Sequence, residues 1–95
     1  MPLVYEMKQN YPNPFNPSTS IQYDLPVAGQ VSLVIYDVVG RRVAELAGGY
    51  HDAGHHSVVW NASNQASGVY FAMFVASDPQ GHVTYSKMNK LLLTK

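Results

Sequence analysis

Histidine is the residue type in this 95-residue chain best suited to chemistry, and His51, His55, His56 and His82 are its four copies. Imidazole is a common metal ligand, and three of the four fall between positions 51 and 56. A zinc site asks for three or four ligands at set spacing. The chain has no cysteine, and Asp52 is the one nearby carboxylate. On an extended strand His55 and His56 point to opposite faces. His51 and His55 could approach across a turn containing Gly54. Solvated loop histidines are the better reading, so no metal and no cofactor are expected.

Nucleophilic catalysis has less support. Ser57 follows His56, and strand neighbours diverge. There is no Gly-x-Ser-x-Gly motif, no phosphate-cradling loop and no acid/base carboxylate pair. The six carboxylates sit mostly at turns, and no catalytic residue is assigned. Asp37 and Gly40 frame a four-residue turn. The aspartate side chain can accept from backbone N–H groups of its own turn, and glycine takes a positive φ freely. Calcium would want six or more oxygens, so these two are read as structural. Asn61-Ala-Ser63 matches a glycosylation sequon and reads as loop. Seven tyrosines and Trp60 could form a platform for sugar stacking. Period-2 placement of Tyr5 and Tyr23 makes edge-of-core aromatics the better account.

The stretch with the most restricted chemistry is Asn10-Tyr-Pro-Asn-Pro-Phe-Asn-Pro17. Each proline fixes its φ and lacks an N–H, and each biases the preceding residue toward extended backbone. The segment should be stiff and polyproline-like, with Tyr11 and Phe15 as apolar anchors. Phe15 is expected to be buried, the prolines holding it across the fold. A rigid segment loses less entropy when it is gripped. At the other end, Lys90-Leu-Leu-Leu-Thr-Lys95 puts lysines around an apolar run. It reads as a final edge strand with lysine gatekeepers, available to a receptor that adds a strand of its own.

Period-2 alternation dominates the elements that must position these residues. Strands are expected at Tyr5–Lys8, Ile21–Leu25, Val31–Tyr36, Arg41–Leu46, His56–Trp60, Val69–Ser77 and His82–Thr94. The third should be covered on both faces at its centre. Gly48-Gly49 should break the fourth. Asn61–Gly68 is a polar loop, and Asp78-Pro-Gln-Gly81 a turn. Seven short strands and no helical stretch give an all-β antiparallel sandwich.

Composition narrows the function. One domain is expected over residues 1–95, and packing must stabilise it in the absence of disulfides. A charged share of 13% leaves a surface of Ser, Thr, Asn, Gln and Tyr, which suits an extracellular module. Zero formal charge and a pI near 6.9 give no electrostatic footprint for nucleic acid. No apolar run reaches the ~20 residues of a membrane helix. Met1-Pro2-Leu3 does not open a signal peptide, so the chain is either cytoplasmic or a piece of a longer precursor, in which case residues 1–3 are linker and Met1 an added start.

Tyr11-Pro-Asn-Pro-Phe-Asn-Pro-Ser-Thr19 followed by Ile21-Gln-Tyr-Asp-Leu-Pro26 resembles the opening of the type A C-terminal sorting domains of the type IX secretion system. Val34-Ile-Tyr-Asp-Val-Val-Gly-Arg41, Ala53-Gly54 through Trp60, Ser67-Gly-Val-Tyr-Phe71 and Lys90–Lys95 resemble later family landmarks in order. A related immunoglobulin-like module occurs in flagellar hook-capping proteins, without this proline-rich opening. The resemblance implies an immunoglobulin-like sandwich that does no chemistry. It implies a cargo domain upstream, passage via the periplasm through the type IX translocon, and a cell-surface sortase that removes the domain. The cargo would then be secreted or held at the surface of a Gram-negative bacterium. Tyr11, Pro12, Asn13, Pro14, Phe15, Asn16, Pro17, Lys90 and Lys95 are the expected recognition residues. The alternatives are a carbohydrate-binding or adhesive sandwich, and a structural immunoglobulin-like spacer.

Overall fold

Alternating side chains and glycine- or proline-marked turns fold the chain into seven antiparallel strands. A computed structural model describes residues 2–95, so Met1 lies outside the described residues. The strands are β1 (Glu6–Met7), β2 (Ser18–Leu25), β3 (Gly29–Tyr36), β4 (Arg42–His51), β5 (Gly54–Asn61), β6 (Gly68–Ser77) and β7 (Val83–Leu93). They form a three-stranded sheet, β1-β2-β5, and a four-stranded sheet, β4-β3-β6-β7. The two pack as a β-sandwich, the all-β class that the alternation predicts.

The inner faces supply the core. Ile21, Tyr23 and Leu25 of β2 meet Leu33 and Ile35 of β3, Phe74 of β6, and Leu91 and Leu93 of β7. An aromatic chain runs through it: Phe15 to Trp60 at 5.6 Å, Trp60 to Tyr70 at 5.3 Å, and Tyr23 to Phe74 at 4.8 Å between ring centroids. These spacings fall in the favourable range for tilted and edge-on pairs. Tyr70, near the start of β6, donates its hydroxyl to the Ala66 carbonyl at 2.6 Å. That back-bond from the start of a strand to the loop before it is the tyrosine corner of immunoglobulin-like sandwiches.

Two expectations about the strands need correction. Gly48-Gly49 does not break β4, which runs on to His51 with Ser32 opposite Gly48 and Val31 opposite Gly49. Gly49 has φ +91°, so glycine here lets an irregular edge strand stay in register. The proline segment is not a straight polyproline run. It bends at residues 12–14 and 16–17. Its shape follows from its anchors: Tyr11 bridges Ser20 in one sheet, and Phe15 bridges Leu93 in the other.

The turn at Asp37 recurs at Asp78. Asp37 Oδ1 accepts from the N–H groups of Val39 and Arg41 at 3.0 and 2.9 Å. Asp78 Oδ1 accepts likewise from Gln80 and His82 at 3.0 and 2.8 Å. Gly40 (φ 85°) and Gly81 (φ 87°) close the two loops in the left-handed region.

Candidate functional site

Residues 8–17 form a strap that leaves β1, crosses to the edge of β7, and returns into β2. Backbone bonds fix it to both sheets. Tyr11 and Ser20 exchange N–H···O bonds at 3.0 and 2.9 Å. The Phe15 N–H donates to the Leu92 carbonyl, and the Thr94 N–H donates to the Phe15 carbonyl, both at 3.0 Å. Asn13 Oδ1 accepts from the Leu92 N–H at 3.0 Å. Prolines suit this path because they leave no N–H unpaired. Their carbonyls are used instead: Pro12 accepts from Thr19 Oγ1 at 2.8 Å and from Asn10 Nδ2 at 3.2 Å.

Phe15 is 2% exposed and packs on Trp60, while Tyr11 is 81% exposed. The pair taken as twin anchors therefore divides. One is core, and the other offers its ring to solvent. Pro12, Asn13, Pro14, Asn16 and Pro17 are exposed along the same strap.

The strap also changes the reading of the terminal strand. Leu91 and Leu93 are fully buried. The outward backbone groups of Leu92 and Thr94 are held by Asn13 and Phe15, so they are not open to strand addition. Further along β7, Gln9 Nε2 donates to the Lys90 carbonyl at 2.9 Å and Lys87 Nζ to the Met7 carbonyl at 3.0 Å. Lys95 is tied back to the Asn61–Gly68 loop, its Nζ donating to the Ser63 carbonyl at 2.8 Å. Lys90 lies opposite Phe71 on the outer face of the four-stranded sheet. The proline motif and the basic ending, some 75 positions apart, thus meet along one edge. The two lysine side chains diverge from there.

Sequence reasoning missed Asn10 and Thr19. Both are buried, and Asn10 Nδ2 donates to Thr19 Oγ1 at 3.0 Å. Their signal was position, since Asn10 opens the proline stretch and Thr19 follows it two residues after Pro17.

The histidines are arranged differently from the expectation. His51 meets His56, not His55, with ring centroids 5.4 Å apart. β5 alternation turns His56 inward, where it stacks on Tyr23 at 5.1 Å, and turns His55 outward. The Nε2–H of His51 donates to the Gly48 carbonyl at 3.3 Å, and that of His56 to the Asp52 carbonyl at 2.8 Å. A ring nitrogen that donates to a carbonyl has no lone pair for a metal. His55 Nδ1 instead pairs with Asp24 at 2.8 Å, and His82 sits at its own turn against Asp78. Among the described residues no three His, Asp or Glu side chains come together as a metal site.

Trp60 is core, and the exposed Tyr11 and Tyr50 lie at opposite ends of the sandwich. Two tyrosine and aspartate groups titrate abnormally. Burial pushes the Tyr23 phenol above its ordinary 10.0. At Asp37 partial burial pushes the carboxyl up, but the Arg41 N–H, the Arg41 guanidinium and the Val39 N–H outweigh it and hold the group below 3.8.

A family model described as "Secretion system C-terminal sorting domain" matches residues 9–88. The chain belongs to that family. The match starts inside the strap and takes in β2 through most of β7, stopping before Lys90. No curated protein matches the chain. The sorting domain is a type IX C-terminal signal and is not catalytic. Membership implies work with the secretion machinery, a cargo upstream and delivery to the cell surface. No helix among the described residues is long and apolar enough to cross a membrane.

Proposed function

We propose that this sorting domain, folding as one unit over the chain, is read through the edge where the strap meets β7. The exposed residues Tyr11, Pro12, Asn13, Pro14, Asn16 and Pro17, with Lys90 and Lys95, are the contacts for the type IX translocon and the surface sortase. Phe15 acts from beneath by holding the strap in place. The observation that carries this reading is the bonding of Asn13 and Phe15 to Leu92 and Thr94. Two segments that each resemble a family landmark become one surface only through that contact. A cargo joined ahead of Pro2 would pass through the periplasm with the folded domain behind it.

The test is a signal peptide and reporter fused ahead of the chain in a type IX host. The reporter should reach the cell surface. Equal export without the domain, or retention in the periplasm, would overturn the reading. Deleting Lys90–Lys95 is a poor way to find the address, because it removes Leu91 and Leu93 from the core. Tyr11→Ala, Lys90→Gln and Lys95→Gln probe the surface and leave those residues in place.

A further inference from the structure

The two outer faces of the sandwich differ in kind. On the three-stranded sheet, Ser20, Gln22, His55 and Ser57 point outward, with Asp24 buried against His55 and Val59 an isolated exposed apolar residue among them. That is the usual state of an antiparallel sheet with one wet face. The four-stranded sheet breaks the pattern. β6 buries Tyr70, Ala72, Phe74 and Ala76 inward, yet its outward residues Val69, Phe71, Met73 and Val75 are also apolar. The register lines them up with Val34 and Tyr36 on one side and Met88 and Leu92 on the other. Met88 is 54% exposed and Leu92 37%. A contiguous apolar face on a small domain marks an interaction site.

Charge defines the partner. One row across this face reads Arg42, Tyr36, Phe71, Lys90. Three strand spacings separate the two cations, about 14 Å. Glu45 bonds Arg42 at 3.0 Å. Among the described residues no ion pair holds Lys90. A second copy of the chain is a poor occupant. A two-fold axis along the strands would set Arg42 against the partner's cationic edge. An axis across them would set Lys90 against Met88 or Ser86 of the second copy, neither of which carries a charge.

We propose that the outer face of the four-stranded sheet is a docking surface for an apolar protein surface bordered by carboxylates, with Lys90 as its charged contact. This rests on the sorting reading and extends its contact from the strap edge onto the neighbouring outer face, with Lys90 at the junction of the two. The test uses the same reporter fusion. Met88→Gln with Leu92→Gln, and separately Lys90→Glu, should each cut surface delivery on the order of tenfold, the effect of losing one good apolar or charged contact. Lys90→Glu should leave the unfolding midpoint in place, and the Met88/Leu92 variant should lower it only modestly while still folding, since Leu92 is already 37% exposed. Lys90→Arg should restore delivery, and Gln22→Ala on the polar face should leave it unchanged. Normal delivery by the folded Met88/Leu92 and Lys90→Glu variants overturns the proposal.

A photo-crosslinking residue at position 88 gives a second readout that does not need delivery. Crosslinks should map to an apolar, Asp- or Glu-bearing peptide of another protein and disappear with Lys90→Glu. Crosslinks to a second copy of the chain, or to peptides without carboxylates, overturn it. If the unmodified fusion is not delivered, the sorting reading falls, and the crosslink still decides the surface.

Discussion

The strap at residues 8–17 and the β4–β5 corner at residues 50–56 both tie one sheet to the other, at opposite ends of the sandwich. Both also carry the residue types that look most like chemistry. The strap resolves them into structure: Phe15 enters the core, Asn10 and Thr19 pair in a buried spot, and both backbone groups of Phe15 are bonded. The corner leaves its histidines half-buried or exposed, bonded to local carbonyls and to one aspartate. A connection that detours through the core can hold a sheet together. One that simply continues from strand to strand can vary with little cost.

If that contrast is right, Phe15→Ala should be the most damaging single change of the set. Loss of a core phenylalanine costs about 3–5 kcal/mol, a large share of the ~5–15 kcal/mol that stabilises a domain. Denaturant unfolding should show a clearly lower midpoint, and an unchanged one would reduce the strap to a surface decoration. Thr19→Val comes next. It keeps the shape but leaves the buried Asn10 amide short of an acceptor, at about 1–3 kcal/mol. A neutral result would mean that water reaches the pair.

The corner should respond less. His56→Ala loses the stacked contact with Tyr23, worth about 0.5–1.5 kcal/mol. A loss rivalling that of Phe15→Ala would erase the distinction between the two connections. The smallest effect belongs to neither connection and serves as their common reference. Asp37 has a folded pKa below its unfolded value. Its stabilising contribution is therefore present above about pH 4 and fades as pH falls through the lower folded value. Asp37→Asn should flatten the acid limb of a stability-against-pH curve at its low end. An acid limb identical in both proteins would show that the Arg41 and Val39 contacts do not favour the carboxylate.

Much of this architecture was legible in the residues. Alternation located all seven strands to within a few positions. Asp and Gly at fixed offsets marked the turns at residues 37–40 and 78–81. The apolar Val31–Tyr36 run implied cover on both faces; Val34 is buried among its outer-face neighbours, but no further layer lies over that face among the described residues. Gly48-Gly49 misled because glycine is a breaker by local propensity, and an irregular edge strand tolerates it. The histidine pairing misled because sequence spacing does not say which of two adjacent residues a strand turns inward.

Local physics is what the sequence determined by itself: a period of two, fixed φ at prolines, and glycines where a turn needs them. These depend on a residue and its near neighbours. The tertiary structure decided where the proline segment goes, that Tyr11 and Phe15 part company, that the final strand's edge is occupied, and that one outer face stays apolar. Each of these depends on strands that lie far apart in the chain and meet through cross-sheet register, and no local pattern encodes that register.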